Sequence, residues 1–341
     1  MFEIIDDYIN QIWEPLINPQ KRIFIGYLAS SFFLAFFIII FQFRSSNKTV
    51  DIRKILMMLF SRRIWLSTSS FADYKILLIS RFIILSIAPF LLSTVALTTI
   101  IFEWLHIVFD GRIYITGSIP DWAVAVIFSV SMFLVDDWTK YIIHKALHRV
   151  PLLWCFHKVH HTAEVLTPFT VYRTHPVEAI IFAIRSVISK SIVLAIFVYF
   201  FGSQVELLTV VSVSIFLFFF NLLGSNLRHS HVWLSYGEKF EKWLISPAQH
   251  QIHHSLLIEH RDQNFGAVLS IWDRINGSLY VTTRRKERII FGVSGTSKKV
   301  HKIQHIFLYP FLEFYQIFTD GIRPSFKKII PKQNTQLFKV K

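Results

Sequence analysis

The stretch from Asp121 to His161 reads DWAVAVIFSVSMFLVDDWTKYIIHKALHRVPLLWCFHKVHH. Trp122 to Val135 is apolar and uncharged, and the run stops at Asp136 and Asp137. Two helical turns later comes His144-Lys-Ala-Leu-His148, and beyond Pro151 comes His157-Lys-Val-His160-His161. Asp137, Tyr141, His144 and His148 fall at i, i+4, i+7 and i+11, one stripe of a helix. A third cluster, His250-Gln-Ile-His253-His254, lies ninety residues on. Spacings of three and four set side chains on one helix face, so each cluster aims its imidazoles at one point. With 15 His among 341 residues, one H-x-x-H-H box is expected by chance about 0.03 times. This chain has two, so the clusters call for a chemical reason.

Composition places them beside a membrane. Hydrophobic residues make up 53% of the chain and charged residues 17%, against about 25% charged in soluble domains. That excludes a cytosolic globule, and with it disorder and coiled coil. Cys155 is the single cysteine, which rules out a disulfide framework and a multi-cysteine zinc site. Ile23 to Phe43 is free of charge between Arg22 and Arg44 and is long enough for one span. Phe82 to Phe102 is a second such run, with a kink expected at Pro89. Trp122–Val135 and Leu207–Leu223 are two more. Val177–Phe201 is ambiguous, because Arg185 and Lys190 interrupt it. The chain opens without a basic n-region or cleavage site, so the first run reads as an uncleaved anchor. The expected fold is all-α: an integral membrane helical protein with a histidine-rich catalytic cap. Residues 1–119 form an N-terminal transmembrane region, 120–295 the di-metal catalytic domain, and 296–341 a basic tail. Within that tail, His301 to Phe318 is either an interfacial helix or a helix packed on the cap.

Charge sets the orientation. Arg44 to Lys75 carries seven Lys and Arg, whereas Glu103 to Asp121 carries one, Arg112. The basic loop is therefore expected on the cytoplasmic face, and five crossings put the histidine boxes there too. From Arg284 onward there are 13 Lys and Arg against 3 acids. In so apolar a chain this block reads as lipid-facing or solvated, and no nucleic-acid partner is expected.

Imidazole suits zinc, iron, copper and nickel. Eight or more such ligands exceed what one ion accepts, so two metals are implied. Lys145 stands where a zinc protease box needs its Glu base, which argues against proteolysis. A ligating His donates its other N–H to a carboxylate or carbonyl, and Asp137, Glu178 and Asp273 are the candidate acceptors. Asp137 and Tyr141 also admit a plainer reading as membrane-interface anchors. Ser246 as N-cap and Pro247 at the first position are expected to start the helix that carries the third box.

The set of boxes resembles the fatty acid hydroxylase/sterol desaturase superfamily. Asp137-x-x-x-Tyr141-x-x-His144 precedes the first box as in that family. Thr174-His175-Pro176-Val177-Glu178 resembles its H-P-x-E element, and Asn226-Leu-Arg-His229-Ser230 its N-x-x-H-S element. Asn264-Phe265-Gly266 and Trp272-Asp273-Arg274 resemble the segment after the last box, and suggest the alkylglycerol monooxygenase-like branch. Asn276-Gly277-Ser278 departs from the usual F-G-T ending. The resemblance implies an oxygen-dependent di-iron enzyme that hydroxylates or desaturates a lipid C–H bond. The substrate class is a sterol, a fatty acyl chain or an alkylglycerol. The implied ligands are His144, His148, His157, His160, His161, His229, His250, His253 and His254, with Asp137, Tyr141 and Glu178 as catalytic candidates. His231 and His175 are left open as ligands. The implied cofactors are two iron ions, for which zinc substitutes in isolated protein, and dioxygen. The chain has no G-x-G-x-x-G fingerprint, so electrons are expected from an external donor, a reductase chain or tetrahydrobiopterin. The rival class is a histidine-rich membrane metal-binding or transport protein, which needs its ligands within the spans.

Overall fold

Helix follows helix along the computed structural model, which describes residues 2–47, 49–87, 92–111, 113, 115, 119–205, 214–294 and 298–320. The first half contains α1 (Phe2–Ile17), α2 (Ile25–Ser45), α3 (Ile52–Leu59), α4 (Arg62–Trp65), α5 (Thr68–Ile87), α6 (Thr94–Val108) and α7 (Asp121–Arg149). The second contains α8 (Pro151–His161), α9 (Pro176–Phe201), α10 (Ser214–Leu222), α11 (Glu238–Glu241), α12 (Pro247–His253), α13 (Ile271–Ile275) and α14 (Ile303–Thr319). Among the described residues there is no strand; two isolated bridges, Leu244–Leu269 and Ser255–Phe291, are the extended pairing there.

Among the described residues, three helices are long and apolar enough to cross a membrane: α2, α7 and α9. The expected run at 122–135 extends well past Asp137, because the histidine stripe continues the same helix to Arg149. The ambiguous run 177–201 is one continuous helix. Its Arg185 is buried and donates to Asp136 Oδ1 at 2.9 Å and to Thr139 Oγ1 at 2.8 Å. A charge inside an apolar helix is tolerated when it is paired in this way. Phe128 and Phe197 meet edge to face at 5.1 Å, and with Met132 and Val193 they cement α7 to α9.

Two expectations need correction. The run 82–102 is not one helix: α5 ends at Ile87, and Ser93 caps α6 by accepting from Ala96 N. Pro89 lies outside the described residues, as does the first part of the run 207–223. The five-crossing path also fails at α2. Arg22, ahead of α2, donates to Ser225 O at 2.6 Å, while Ser69, beyond α2, accepts from Glu164 N at 3.1 Å. A single crossing by α2 would set these residues on opposite faces. Both instead meet the segments that carry the histidines.

Local sequence explains how the box helices are aimed. Val150 precedes Pro151 and is extended, as a residue before proline must be. One residue thus separates the end of α7 from the start of α8, and the chain folds back so that the two boxes face one another. His175 caps α9, its Nδ1 accepting from Val177 N at 3.2 Å, with Pro176 in the first helical position. Ser246 and Gln249 form a reciprocal capping box on α12, with Pro247 at its start, as expected. Gly224, at φ +95°, makes the left-handed turn from α10 into the 3-10 turn Ser225–His229. A Cβ there would sit 3.2 Å from Leu34.

The C-terminal helix α14 packs on α8 and also keeps an exposed apolar face. Lys158 pairs with Glu313, and Ile306 joins Ala72, Ile76 and Val159 in one buried cluster. Leu308, Phe311, Leu312, Tyr315 and Phe318 are exposed. Residues 321–341, the last 21 positions of the basic tail, lie outside the described residues.

Candidate metal centre

Nine imidazoles converge from four segments: the last turns of α7, α8, the turn Ser225–His229, and α12 with its C-cap His254. They form two groups. His144, His148, His157, His161 and His253 make one; His160, His229, His250 and His254 make the other. Within each group the candidate ligand atoms all lie within 4.8 Å of one another. Neither group comes from a single box, because neighbours such as His160 and His161, or His253 and His254, point into different groups.

The ring nitrogens divide into anchored and converging sets. His144 Nδ1 donates to Phe265 O at 2.7 Å, His253 Nδ1 to Gln263 O at 2.9 Å, and His160 Nδ1 to Arg173 O at 3.3 Å. His157 Nδ1 bonds Glu178 Oε1 at 2.9 Å. With Nδ1 committed to an acceptor, Nε2 carries the lone pair and faces its group. His148 Nε2 and His157 Nε2 are 3.1 Å apart, and His229 Nε2 lies 3.0 Å from His250 Nε2 and 3.1 Å from His254 Nε2. Two nitrogens at right angles around one ion, each about 2.1 Å from it, are about 3.0 Å apart. His161 Nε2 and His253 Nε2 are enclosed without a protein partner. Buried nitrogens crowded together and left unpartnered are costly unless a cation sits among them, so the residues present fit two metal ions.

Burial keeps these rings neutral, the form that ligates. Burial lowers His157 to about 3 and His160 to about 4. His161, His250, His253 and His254 are held well below the ordinary value by burial first and by neighbouring histidines second, and His229 by burial first and Arg22 second.

The three expected acid and tyrosine positions take different places. Glu178 is buried and touches His157. Asp137 touches no histidine. Its carboxylate accepts from Val268 N at 2.9 Å, Leu269 N at 3.0 Å and Trp272 Nε1 at 2.9 Å. Asp273, which burial raises to about 6, accepts from Phe265 N, Gly266 N and Ser278 Oγ. It bears on His144 only through the Phe265 carbonyl. Tyr141 is buried against Phe265, with its hydroxyl 3.4 Å from Ser278 Oγ. Asp137 and Tyr141 thus hold the segment 264–278 against α7, and neither is exposed as an interface anchor. His175 and His231 belong to neither group; His175 Nε2 donates to Phe307 O at 3.2 Å.

Two buried charges escaped the sequence reading. Arg173 is fully buried and donates to Asp73 Oδ1, Val159 O and Thr162 Oγ1, tying α5 to α8 while its own carbonyl holds His160. Between Glu164 and Glu178 it is the lone Lys, Arg, Asp or Glu, and that isolation was the available signal. Glu241, also fully buried, accepts from Ser235, Ser246 and Thr282 and steadies the start of α12. Its partners are scattered across 47 positions of sequence, and no local pattern marks them.

Residues 129–278 match the family model for fatty acid hydroxylase. Alkylglycerol monooxygenase of Homo sapiens is 27% identical over 164 residues, 48% of this chain and 32% of that protein. Lathosterol oxidase of Rattus norvegicus is 27% identical over 163 residues, 48% of each. Very-long-chain aldehyde decarbonylase GL1-9 of Oryza sativa subsp. indica is 29% identical over 165 residues, 47% of this chain and 57% of that protein. The chain thus spans about a third to somewhat over half of the length of these relatives. No solved structure matches. The matched region contains every histidine of the two groups, and over it the resemblance carried by the boxes is borne out: residues 129–278 are fatty acid hydroxylase-like in sequence.

Proposed function

We propose that this chain is a membrane lipid oxygenase that hydroxylates or desaturates a C–H bond at a di-iron centre. The observation that carries the reading is the sorting of nine neutral imidazoles into two adjacent groups. Relatives named for monooxygenation of alkylglycerol and oxidation of lathosterol support a lipid substrate. Two irons held there supply activation of dioxygen.

The chain's own contribution is to hold and orient. Each Nδ1 anchor fixes a ring plane and tautomer, and Glu178 draws the His157 N–H and strengthens its Nε2 as a donor. The loop 263–266 places two carbonyls on His144 and His253, Asp273 holds that loop, and Asp137 holds the segment that follows it. The histidines stand at the ends of α7 and α8 and not in mid-span, which disfavours a transport pathway. The basic segment Arg44–Lys75 is itself bonded to the cap through Ser69 and Asp73, which supports a cytoplasmic catalytic face. Electrons come from a separate donor, a reductase chain or tetrahydrobiopterin.

The test supplies labelled dioxygen gas, lipid extract and a chemical electron source to the iron-loaded protein. Hydroxylation is expected to put label in the lipid, and desaturation to add a double bond without label. His253→Ala is expected to abolish either product while the protein still inserts in the membrane. Full metal occupancy with neither product would end the enzyme reading.

A further inference from the structure

Two arginines beside the second histidine group lack the partners that buried cations need. Arg228 directly precedes His229 and is 5% exposed. Its guanidinium donates one bond, to Ile245 O at 3.2 Å, and rests on the Phe220 ring at 4.5 Å. Arg22 approaches the same turn from the segment before α2, donating to Ser225 O at 2.6 Å, while Asn226 Nδ2 donates to Arg22 O at 2.9 Å. Among the described residues neither guanidinium pairs with a carboxylate, and the Nε of each is enclosed without an acceptor. Asp137 is the one carboxylate that bears on Arg228, and its oxygens are already taken by Val268, Leu269 and Trp272. Elsewhere this chain does pair its buried arginines: Arg173 has Asp73 and Arg185 has Asp136.

Two unpaired guanidinium groups flanking one turn, next to a group of metal-type ligands, repel one another and any cation there. Burial and then Arg228 lower Arg22 to about 9, and burial lowers Arg228 to about 10. Breaking a buried ion pair is costly because one charge is left uncompensated, and the buried Arg228 carries that cost here. The planar fork of arginine is suited to carboxylate and phosphate oxygens. Arg22 is only half-buried and lies three residues before α2, one of the helices of membrane-crossing length. An oxyanion on an amphiphile can therefore reach the pair from the bilayer side.

We propose that Arg22 and Arg228 form an oxyanion site that takes the phosphate or carboxylate headgroup of a lipid, and so selects acidic lipids for the adjacent centre. Selection of the lipid that is oxidised rests on the oxygenase reading; binding of the headgroup is separable from it. A headgroup held beside His229 fixes one end of the lipid and sets which carbon of the chain reaches the two histidine groups.

The experiment uses the full-length, metal-loaded protein in neutral phosphatidylcholine nanodiscs and follows Tm. Dodecyl phosphate and dodecanoate are expected to raise Tm in a saturable way, whereas dodecanol and inorganic phosphate raise it little. Arg22→Gln and Arg228→Gln are each expected to weaken dodecyl phosphate about tenfold or more, the value of one charge-assisted bond. Arg22→Lys is expected to recover part of the loss, and Lys21→Gln to change nothing. Metal content of each variant is measured alongside, so that Arg22→Gln decides the matter if Arg228→Gln disturbs His229. Equal stabilisation by dodecanol, or unchanged dodecyl phosphate binding in a metal-replete Arg22→Gln protein, overturns the proposal. Strong binding of inorganic phosphate alone would assign the site to a free anion and overturn the headgroup reading. Oxidation of neutral lipids as readily as acidic ones would sink the selection while leaving the oxygenase intact; binding without any oxidised product would do the reverse.

Discussion

Replacing Glu178 tests whether hydrogen bonds behind the histidines set metal affinity. Glu178 Oε1 lies 2.9 Å from His157 Nδ1, both side chains are buried, and Oε2 has no partner. Glu178→Ala removes the acceptor and leaves the His157 N–H orphaned in a dry site. Loss of such an acceptor behind a metal-bound His typically costs 10- to 100-fold in metal affinity, or about 1.4 to 2.8 kcal/mol. Glu178→Gln keeps an acceptor oxygen in place and fills the Oε2 position with an amide, so its loss is expected to stay under about tenfold. The assay is competition of the purified, iron- or zinc-loaded protein against a chelator of known affinity. The effect should fall on one ion of the two, because His157 belongs to the five-histidine group. A Glu178→Ala protein that binds both ions like wild type would refute the reasoning, and so would a Gln variant as weak as the Ala variant.

Asp137→Ala is expected to lower stability by about 3 kcal/mol, about 1 kcal/mol for each of the three donors it strands, with Asp137→Asn intermediate; Tm measured with and without metal checks this. Metal-free protein is expected to lose stability as pH falls below about 6.5. The folded chain keeps His157 and His160 neutral to about 3 and about 4, whereas the unfolded chain takes protons near 6.5, so the unfolded state binds more protons in that window. The slope approaches about 1.4 kcal/mol per pH unit for each such histidine, and a denaturant midpoint that is flat from pH 7 to 5 would contradict it. For topology, Cys placed at Lys54 and at Lys298 should label from one face and Cys at Arg112 from the other; labelling of all three from one side would exclude the proposed orientation.

What the sequence disclosed follows from which interactions are local. Box spacing and the helix start at Ser246–Pro247 act within a few residues, and both were legible; the Val150–Pro151 break and the Gln249 half of the cap are equally local but emerged with the structure. The two-group sorting was not. It depends on how α8 and α12 rotate against α7, which sends His160 and His161 to different groups. Asp137 illustrates the same limit. Its place on the helix stripe was readable, but its partners Val268 and Leu269 lie more than 130 positions away, so it was counted with the histidines when it belongs to the loop. Arg185 looked like a defect in an apolar run because Asp136, which accepts its charge, comes 49 positions earlier. The run 82–102 had the composition of one span. Hydropathy reports how greasy a segment is, and does not report that Ser93 starts a new helix within it.

The distribution of buried carboxylates decides what the cap can bind. Among the described residues five are buried: Asp73, Asp137, Glu178, Glu241 and Asp273, of which Asp73 is taken by Arg173. Asp137, Glu241 and Asp273 spend their oxygens on backbone N–H, hydroxyl and indole donors of this chain. Glu178 alone meets an imidazole. Nine neutral ligands and one carboxylate behind them would leave the charge of two divalent ions unbalanced, and Arg22 and Arg228 would add to the excess. A protein whose aim was to store cations would place carboxylates among the ligands, since each one there lowers the cost of burying the ion. Here the carboxylates serve the scaffold, and a centre loaded with two such ions would be left electropositive. That arrangement suits chemistry in which electrons and a negatively charged partner are brought to the site, and it makes the two arginines and the nine histidines parts of one electrostatic design.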